Sequence, residues 1–498
     1  MCPSPPLSSS AAVAVETRMN VPTHKTKIVC TIGPASESLA TMEAMIRAGM
    51  SIARLNFSHG DFETHRRIIR DLRSASESAG RPITIMADLP GPKMRVGTVV
   101  PESIELRSGD PFTLTTEEIE GDAERVSVNF DRLPKVVSPG DRLFLNDGII
   151  QLEVERIEGP EVHTLVQVGG ELRSRKGLNV PGIDLGISAF TDHDLACLKV
   201  ALEEGVEAVS QSFVEGEEDI RRVREAARAF GKFPFVIAKI ERARALQNFD
   251  AILCAADGIM IARGDLGVEI PIEEMAVTQK RLMLNANRLG KPVITATQML
   301  ESMTDNRLPT RAEATDVANA IVDGTDCVML SAESAMGRYP VEAVRMLARI
   351  ATATEPEVPR RIVHEALRAY GREHEATAAD LIAMSLETML QYSSPLLIVV
   401  PTKSGATARN IARFRHPVWI AAVSSSPFTC STLRFSYGVQ PLLEPTLPED
   451  WVPYVKSQLA LRGVSEGMAI LVEGPSPKRP DANHRIELLR LDRGQAKR

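Results

Sequence analysis

Two short apolar runs in the middle of the chain end in residues that could do chemistry. Lys239 interrupts the run Phe235–Ile240 and Glu241 follows it, while Asp265 comes shortly after the run Ile259–Ala262. Apolar runs of this length are typical of strands that are buried on both faces in a parallel sheet. A lysine and two carboxylates at such strand ends are costly to desolvate unless they are paired or hold a metal ion. We therefore expect a site for a divalent cation that prefers oxygen ligands, and for an anionic substrate.

Carboxylates from two neighbouring strands suit Mg²⁺, which usually leaves its other positions to substrate and water. The segment Arg263–Asp265 would begin a helix, so its backbone N–H groups are able to bind a carboxylate or a phosphate. Further polar residues follow other apolar runs: Arg54, Asn56, Ser58, His59, Asp88, Ser212, Thr297, Ser331 and Glu333. The alternative is a ring of ion pairs that only closes the rim of a barrel, but charge at the carboxyl ends of barrel strands usually serves catalysis.

A strand, a polar or glycine-containing turn and an amphipathic helix recur from Lys27 onward. The predicted strands are Ile28–Thr31, Ile52–Asn56, Ile83–Asp88, Ala208–Phe213, Phe235–Ile240, Gly258–Ala262, Val293–Ala296 and Cys327–Leu330. This repetition indicates an α/β fold of the closed (β/α)₈, or TIM, barrel type, with chemistry at the carboxyl ends of its strands. An open doubly wound sheet is the alternative. It usually carries a glycine-rich dinucleotide turn after its first strand, and Thr31–Ser36 is not such a turn.

The repeat is interrupted between Pro92 and about Asp184. Short alternating strands separated by Gly and Pro turns are predicted there, at Phe112–Thr115, Arg142–Leu145 and Gln151–Arg156. We expect residues 92–184 to form an inserted β-barrel domain that acts as a lid over a catalytic barrel of residues 25–91 and 185–358. Residues 359–498 are predicted to form a C-terminal α/β regulatory domain. Its elements are a helix at Ala376–Leu390 and strands at Leu396–Val400, Trp419–Val423 and Met468–Val472.

The composition is that of a globular protein with two or three domains. The chain has 498 residues, of which 44% are hydrophobic and 25% charged, and its formal net charge is -7. Both signs of charge are interspersed, so no basic surface for nucleic acid is predicted. No apolar run approaches the length of a membrane span. The six cysteines are widely spaced, which favours reduced thiols and a cytoplasmic protein over a disulfide framework.

Residues 1–24 are rich in Ser, Pro and Ala and have no amphipathic period. We expect a disordered tail, and a short transit peptide is the alternative. Met19 lies close to the first predicted strand, so we expect translation to start at Met19 rather than at Met1. The intact mass of the protein made from its native gene would distinguish the two.

Several long motifs resemble those of the pyruvate kinase family, in the family's order. They are Cys30–Ser36, Arg54–Gly60, Lys239–Glu241, Arg263–Pro271, Ala296–Ser302 and Pro309–Glu313. The resemblance runs from about Lys27 to the end of the chain and is weakest after Glu444. It implies a barrel with an inserted β lid and a C-terminal α/β domain. It also implies transfer of a phosphoryl group from phosphoenolpyruvate to ADP, which gives pyruvate and ATP in glycolysis.

The resemblance implies roles for residues of the barrel rim. Lys239 would stabilise the transferring phosphoryl group and the enolate, and Glu241 and Asp265 would bind Mg²⁺ or Mn²⁺. Gly264, the Asp265 amide and the Thr297 hydroxyl would bind the substrate carboxylate, and Thr297 is also a candidate for the proton route. Arg54 would contact the phosphate, and Ser331 and Glu333 match the family's segment at the eighth strand. Asn56, His59, Arg95 and Lys176 would lie toward the nucleotide, although His59 is nearly as well explained as an ordinary loop histidine.

The segment Leu89–Lys93 departs from the family's common potassium-dependent form, which reads Thr-Lys-Gly-Pro-Glu. Members with a lysine in the last position are associated with potassium-independent activity. The potassium ligands implied by the resemblance are Asn56, Ser58, Asp88 and the Leu89 carbonyl. We hypothesise that the ammonium of Lys93 supplies the charge of K⁺ and makes the ion dispensable. The alternative is an exposed lysine at the hinge of the lid.

The turn Thr402–Gly405 resembles the family's site for phosphorylated effectors; it consists of Thr402, Lys403, Ser404 and Gly405. Backbone nests of this kind bind anions, but an ordinary capped helix start is equally compatible with the sequence. The family also implies a homotetramer. We keep two alternatives to a pyruvate kinase. One is a Mg-dependent barrel lyase or mutase that acts on phosphoenolpyruvate or enolates, and the other is a metabolite sensor without activity.

Overall fold

The computed structural model describes residues 21–358, 365–366, 376–460, 466–474 and 484–491. Met1 and Met19 lie outside the described residues, as does the rest of the predicted tail up to residue 20, so these predictions stay open. Val21 packs against an apolar cluster of the C-terminal domain, and His24 is buried. Residues 21–24, which we expected to belong to the tail, are therefore packed against the folded chain.

Eight parallel strands close into a barrel, as the sequence predicts. They are Lys27–Thr31, Met50–Asn56, Thr84–Leu89, Ala208–Gln211, Phe235–Ile240, Gly258–Ala262, Val293–Ala296 and Cys327–Leu330. Each strand pairs with its neighbours along the chain, and the last closes on the first, where Lys27 lies opposite Cys327. The fourth strand ends at Gln211, two residues before its predicted end, because Phe213 leaves the extended conformation with φ of +56°.

Alternation along the strands decides which side chains point into the barrel. Along the fifth strand, Ile237 belongs to the cluster that fills the interior, whereas Val236 and Ala238 pack outward against the helices. Successive residues of a strand face opposite sides, so Lys239 follows Ile237 on the inner face. Since it lies near the carboxyl end of the strand, its ammonium reaches the mouth of the barrel.

Helices surround the barrel and bury its outer face. They are Leu39–Ala48, Phe62–Ala79, Asp192–Glu203, Glu217–Ala229, Ala243–Gln247, Phe249–Ala255, Met275–Arg288, Arg311–Val322 and Pro340–Thr354. Short helices at Arg263–Glu269 and Ala332–Ala335, and 3₁₀ turns at Ile272–Glu274, Glu301–Thr304 and Glu355–Glu357, lie in the connections. The helix Arg311–Val322 begins with a capping box, in which Thr310 and Glu313 each accept the other's backbone N–H.

The inserted segment is all-β apart from one short helix, Leu133–Val136. Its strands Leu178–Asn179, Arg142–Leu145, Ile150–Glu158, Glu161–Val168, Pro111–Thr115 and Arg125–Ser127 form one sheet in that order. Ser103–Leu106 pairs with Gly170–Arg173 in a second, two-stranded sheet. The segment leaves the barrel after the third strand, and Gly148 approaches Val268 of the helix Arg263–Glu269 closely. It therefore lies at the carboxyl rim of the barrel.

The C-terminal part is an α/β sheet of five strands. The strands, in spatial order, are Val439–Leu443, Ile420–Ser424, Leu397–Pro401, Met468–Glu473 and Arg485–Arg490, and the last is antiparallel to its neighbour. The helices are Ala378–Tyr392, Ala406–Ala412, Pro427–Leu433 and Trp451–Ala460. The strands Val439–Leu443 and Arg485–Arg490 are not among those predicted from the sequence. The described part of the chain contains no helix that is both long and apolar enough to cross a membrane.

The C-terminal domain packs against the amino-terminal end of the barrel, opposite the reactive rim. Phe435 stacks on Phe235 at the base of the fifth strand, with ring centroids 5.3 Å apart. Arg415 forms a buried bidentate ion pair with Asp326, with N–O distances of 2.7 and 2.9 Å. The C-terminal domain is therefore in direct contact with the strands whose opposite ends carry the candidate site.

Candidate active site

Lys239 lies at the centre of a group of polar side chains at the mouth of the barrel. Its Nζ donates to Ser212 Oγ at 2.6 Å and lies 2.8 Å from Glu241 Oε1 and 3.4 Å from Asp88 Oδ2. Burial alone would lower the pKa of Lys239, but the charges of Asp88 and Glu241 outweigh it and raise the pKa above its usual value. The lysine is therefore a fixed positive charge.

Glu241 and Asp265 are the pair of carboxylates that the sequence predicts. Glu241 is only 1% exposed, and its Oε2 accepts the backbone N–H of Phe213 at 2.7 Å. Burial raises the pKa of Glu241; the ammonium of Lys239 opposes this shift, and the negative charge of Asp265 adds to it. The pair thus has hard oxygen donors and an excess of negative charge, which fits the requirements of a divalent cation. Within the described residues, no group of three or more His, Cys, Asp or Glu side chains forms a metal site. The two carboxylates would therefore need substrate or water as additional ligands.

Arg54 and Asp88 form an ion pair beside Lys239. Arg54 Nε donates to Asp88 Oδ2 at 2.9 Å, and Arg54 Nη1 donates to Thr31 Oγ1 at 2.8 Å. Burial opposes ionisation of Asp88, but Lys239 and Arg54 lower its pKa below the usual value. Ser210 Oγ donates to Asp88 Oδ1 at 2.6 Å. Arg54 thereby stands as a second fixed cation on the inner face of the barrel.

Gly264 and Thr297 lie next to each other at the ends of the sixth and seventh strands. The Gly264 N–H donates to Thr297 Oγ1 at 2.7 Å, and the Thr297 hydroxyl donates to the Ala296 carbonyl at 2.6 Å. Thr297 has φ of +67°, which is rare for a β-branched residue. Arg263 holds this conformation by donating to the Thr297 carbonyl at 2.8 Å, and it pairs with Asp316. Two of the groups expected to bind a carboxylate are therefore adjacent.

The structure places Ser331 and Glu333 after the eighth strand, where Glu333 is fully buried. Its Oε2 accepts the Ser331 N–H at 2.7 Å, and its Oε1 accepts the Leu300 N–H at 3.0 Å. Both carboxylate oxygens are thus engaged with backbone amides of two rim loops. Through these two hydrogen bonds Glu333 fixes the loops after the seventh and eighth strands.

His59 lies between the barrel rim and the inserted domain. Burial lowers the pKa of its ring, and the positive charges of Arg95 and Lys93 lower it further. Arg95 Nη1 donates to the Arg175 carbonyl at 2.9 Å, and the next residue, Lys176, accepts the Val96 N–H through its carbonyl at 2.9 Å. The residues predicted to bind a nucleotide from the inserted domain are therefore held on adjacent segments, and Arg95 and Lys93 lie near enough to His59 to affect its charge.

The predicted ligands of a monovalent cation lie at the ends of the second and third strands, and all four take part in internal hydrogen bonds. Asn56 Oδ1 accepts the Ser58 N–H at 3.1 Å, and the Leu89 carbonyl accepts the Ser212 N–H at 3.3 Å. Asp88 is bound by Arg54 and Ser210 as described above. Lys93 is exposed and follows Gly91, whose carbonyl accepts the Lys93 N–H at 3.0 Å.

The predicted effector turn lies in the C-terminal domain, far along the chain from the barrel rim. Thr402 Oγ1 accepts the Gly405 N–H at 2.9 Å, Ser404 Oγ accepts the Ala406 N–H at 3.4 Å, and Lys403 is exposed. Gly405 has φ of +83°, a left-handed conformation that favours glycine. Ser404 lines a cavity of about 390 Å³ between this domain and the amino-terminal end of the barrel.

Sequence analysis missed two contributors to the site. Ser210 binds Asp88, and the backbone of Phe213 binds Glu241. Alternation could have identified Ser210, because it follows the interior residue Ala208 on the same face of the fourth strand. The hydrogen bond from the Phe213 amide depends on an unusual backbone angle, and nothing in the pattern of side chains signals it.

The fold and the site together define a class of protein: a (β/α)₈ barrel with buried cations and two neighbouring carboxylates at the carboxyl ends of its strands, where enzymes of this fold carry their active sites. Comparison with known proteins makes the class specific. The family model "Pyruvate kinase, barrel domain" matches residues 23–344, and "Pyruvate kinase, alpha/beta domain" matches residues 380–471. The chain belongs to the pyruvate kinase family and is a phosphotransferase.

Curated relatives named pyruvate kinase are similar over most of their length. That of Thermococcus litoralis is 50% identical over 425 residues, which are 85% of this chain and 89% of the relative. That of Geobacillus stearothermophilus is 44% identical over 84% of this chain and 71% of the relative. That of Thermotoga maritima is 38% identical over 94% of this chain and 100% of the relative. None of these findings favours a barrel lyase or mutase.

Proposed function

We propose that this chain transfers the phosphoryl group of phosphoenolpyruvate to ADP in glycolysis and so produces pyruvate and ATP. The observation that carries the proposal is the position of Lys239, a permanently charged lysine between Asp88 and Glu241 at the barrel mouth. Phosphoryl transfer is catalysed mainly by positioning and by neutralising the charge on the transferring oxygens. A compact ammonium held in a dry site is suited to that task.

The substrate is held by cations, backbone amides and a hydroxyl at the mouth of the barrel. Arg54 binds the phosphate, because its guanidinium offers several N–H donors in a fixed geometry. The Gly264 and Asp265 amides and the Thr297 hydroxyl bind the carboxylate. The Thr297 hydroxyl also relays a proton toward the enolate carbon. Ser331 completes the pocket, and Glu333 acts by holding the Ser331 and Leu300 amides.

Glu241 and Asp265 hold a divalent cation, Mg²⁺ or Mn²⁺. When bound, the ion neutralises negative charge on the substrate and phosphoryl oxygens. The nucleotide lies between the barrel and the lid, formed by residues 92–184, where Asn56, His59, Arg95 and Lys176 contact it. Burial and, after it, the positive charge of Arg95 lower the pKa of His59, and this closeness of the two side chains supports the arrangement.

Activity does not require K⁺, because Lys93 provides a tethered positive charge next to the second and third strands. Two observations support this. The charge of Lys93 acts on His59, which directly follows the candidate ligand Ser58. Asp88, another candidate ligand, is already neutralised by Arg54 and Lys239.

Thr402, Lys403, Ser404 and Gly405 form part of a site for an anionic effector. The adjoining cavity is lined by Arg224, Lys291 and Arg409, and also by Asp257, which pairs with Arg224 at 2.8 Å. Arg409 Nη1 donates to the Ser404 carbonyl at 2.9 Å, while its buried Nε has no hydrogen-bond partner among the described residues. A panel of sugar phosphates tests this site. Activation that disappears in Arg409→Met supports it, and activation that survives the substitution contradicts it.

The protein is cytoplasmic and assembles into a homotetramer. Ile272 and Val277, near the start of the helix Met275–Arg288, are 72% and 69% exposed, which makes them candidates for a contact between subunits. Light scattering coupled to gel filtration measures the assembly state directly, and a monomeric mass contradicts this part of the proposal.

One assay distinguishes the three functions that the sequence leaves open. Pyruvate formation is coupled to NADH oxidation by lactate dehydrogenase, with phosphoenolpyruvate and with or without ADP. If the protein is a phosphotransferase, it forms pyruvate, and lactate dehydrogenase oxidises NADH, only when ADP is present. A lyase or mutase consumes phosphoenolpyruvate without ADP but forms no pyruvate, so consumption of phosphoenolpyruvate is followed in parallel by phosphorus NMR; a sensor without activity consumes none in either case.

A further inference from the structure

Phe213 follows the fourth barrel strand and has an unusual backbone conformation. Its φ is +56°, in the left-handed region that bulky residues other than glycine seldom occupy. Such conformations persist only where the surrounding contacts hold them, and they concentrate at functional sites. Phe213 lies directly beside Glu241, one of the two proposed metal ligands, so its conformation is expected to have a function at that site.

The turn formed by Ser212 and Phe213 contacts both charged groups of the fifth strand. The Phe213 N–H donates to Glu241 Oε2 at 2.7 Å, and Ser212 Oγ accepts from Lys239 Nζ at 2.6 Å. The turn itself is tied to the third strand, because the Ser212 N–H donates to the Leu89 carbonyl at 3.3 Å. The fourth strand thus connects the third strand to the charged end of the fifth.

The Phe213 side chain contributes to holding the turn. A Cβ placed on Gly91 would lie 3.0 Å from the ring carbon Cδ2 of Phe213, so the ring packs closely against a residue without a side chain. The Gly91 N–H in turn donates to Asp194 Oδ1 at 2.9 Å, which anchors the loop after the third strand to the helix Asp192–Glu203. Phe213 is consequently restrained through both its ring and its backbone.

We infer that Phe213 is a positioning residue for the divalent-cation site: its left-handed backbone directs an amide N–H at Glu241 and fixes one carboxylate oxygen. The inference rests on the proposed function, in which Glu241 and Asp265 hold the cation. With Oε2 held by the amide, the other oxygen, Oε1, faces Lys239 Nζ at 2.8 Å. Without the amide, Glu241 Oε2 would lose the hydrogen bond that fixes its orientation next to Asp265. The two carboxylates would then be less well arranged before the cation binds.

Two substitutions of similar size separate the backbone from the ring. Phe213→Asn removes the ring and retains a residue that tolerates the left-handed region, whereas Phe213→Val removes the ring and introduces a β-branched residue that does not. The measurement is the dissociation constant for Mn²⁺, obtained by electron paramagnetic resonance of free Mn²⁺, without phosphoenolpyruvate or ADP. We expect Phe213→Asn to bind Mn²⁺ within about threefold of the unsubstituted protein and Phe213→Val to bind at least about tenfold more weakly.

Activity assays provide a second test. For Phe213→Val, the Mn²⁺ concentration that gives half-maximal rate should rise by a larger factor than kcat falls. Circular dichroism and thermal unfolding verify that both variants are folded. If Phe213→Val does not fold, replacing the Phe213 N–H by an ester oxygen removes the donor alone and leaves the side chain in place. That protein is expected to show the same loss of Mn²⁺ affinity.

Equal Mn²⁺ affinities of the Asn and Val variants overturn the inference, as does unchanged affinity of the ester. If both folded variants lose the same affinity, the loss comes from removing the ring and not from the backbone conformation. These outcomes are distinct from failure of the proposed function. If the unsubstituted protein forms no pyruvate but binds Mn²⁺ in a Phe213-dependent way, the proposed function fails and the inference stands.

Discussion

The ammonium of Lys239 and the carboxylate of Glu241 lie 2.8 Å apart, and both side chains come from the carboxyl end of the fifth strand. They face the same side because residues two apart in an extended chain point in the same direction. The contact keeps the lysine charged, and it places a cation against one of the two proposed metal ligands. The charges of Lys239, Glu241 and Asp88 therefore depend on one another, and substitution of one residue affects the other two.

The first prediction concerns Lys239 itself. Lys239→Met should reduce kcat for phosphoryl transfer by about 10³-fold, because removing one preorganised charge from a dry site typically costs 10² to 10³ in rate. Steady-state assays with ADP and phosphoenolpyruvate measure the loss. Thermal unfolding serves as the control for an intact fold, and a kcat within tenfold of the unsubstituted protein contradicts the assigned role.

The second prediction concerns the monovalent cation. With tetramethylammonium replacing K⁺, the unsubstituted protein should keep its rate within a few-fold, whereas Lys93→Glu should lose at least about tenfold and recover when K⁺ is added. Lys93→Gln is the matched control that removes the charge without reversing it. A large fall in the unsubstituted protein's activity on replacing K⁺ would reject the hypothesis that Lys93 makes K⁺ dispensable.

The third prediction concerns the contact between the barrel and the C-terminal domain. Arg415→Met leaves Asp326 buried without its guanidinium, so the free energy of unfolding should fall by about 3 to 5 kcal/mol. Urea denaturation measures it. As a control, Arg485→Met removes an exposed partner of Glu473 and should change the free energy by less than about 1 kcal/mol. Similar effects of the two substitutions would show that burial of the Arg415–Asp326 pair is unimportant.

The fourth prediction is a pH dependence of stability. Burial lowers the pKa of Lys27 to about 8 from 10.5, and Lys27 Nζ donates to the Val439 carbonyl of the C-terminal domain at 2.7 Å. The unfolded chain therefore binds more protons between these two pKa values. Stability should rise with pH from about 8 to 10.5, since the cost of keeping this lysine charged in the fold disappears.

The corresponding experiment compares Lys27→Met with the unsubstituted protein across that pH range. The difference in free energy of unfolding between the two proteins should change by about 3 kcal/mol, in the direction that favours the unsubstituted protein as pH rises. The comparison cancels the titration of groups common to both proteins. A difference that stays constant from pH 7 to pH 10.5 would contradict the prediction.

The strands of the barrel were largely predictable because each is marked by a pattern of a few consecutive residues. The predicted bounds Phe235–Ile240, Gly258–Ala262, Val293–Ala296 and Cys327–Leu330 agree with the structure, since each is a short run of mostly apolar residues, interrupted only by Lys239 in the first and Thr295 in the third. Two strands of the C-terminal sheet were missed for the opposite reason. Val439–Leu443 contains Pro441, and Arg485–Arg490 carries three charged residues, so neither has the composition of a buried strand.

The sequence predicts several polar residues that meet at the barrel mouth, but it does not predict which atoms they contact. Glu333 matched a family segment and was expected at the substrate, yet both of its oxygens accept backbone amides. A sequence motif records that a carboxylate is present and says nothing of which atoms it contacts. The Phe213 amide was missed because backbone donors are the same in every residue type except proline.

The sequence by itself determined which residues could be reactive and where along each strand they fall. The two-residue period of a strand puts Lys239 on the same face as Ile237, and this needs no knowledge of the rest of the chain. Only the tertiary structure decided their partners. Asp88 and Lys239 are 151 residues apart, and they meet because closure of the barrel brings the third, fourth and fifth strands side by side. Periodicity acts over a few residues, whereas the charge state of Lys239 depends on groups that only the closed barrel brings together.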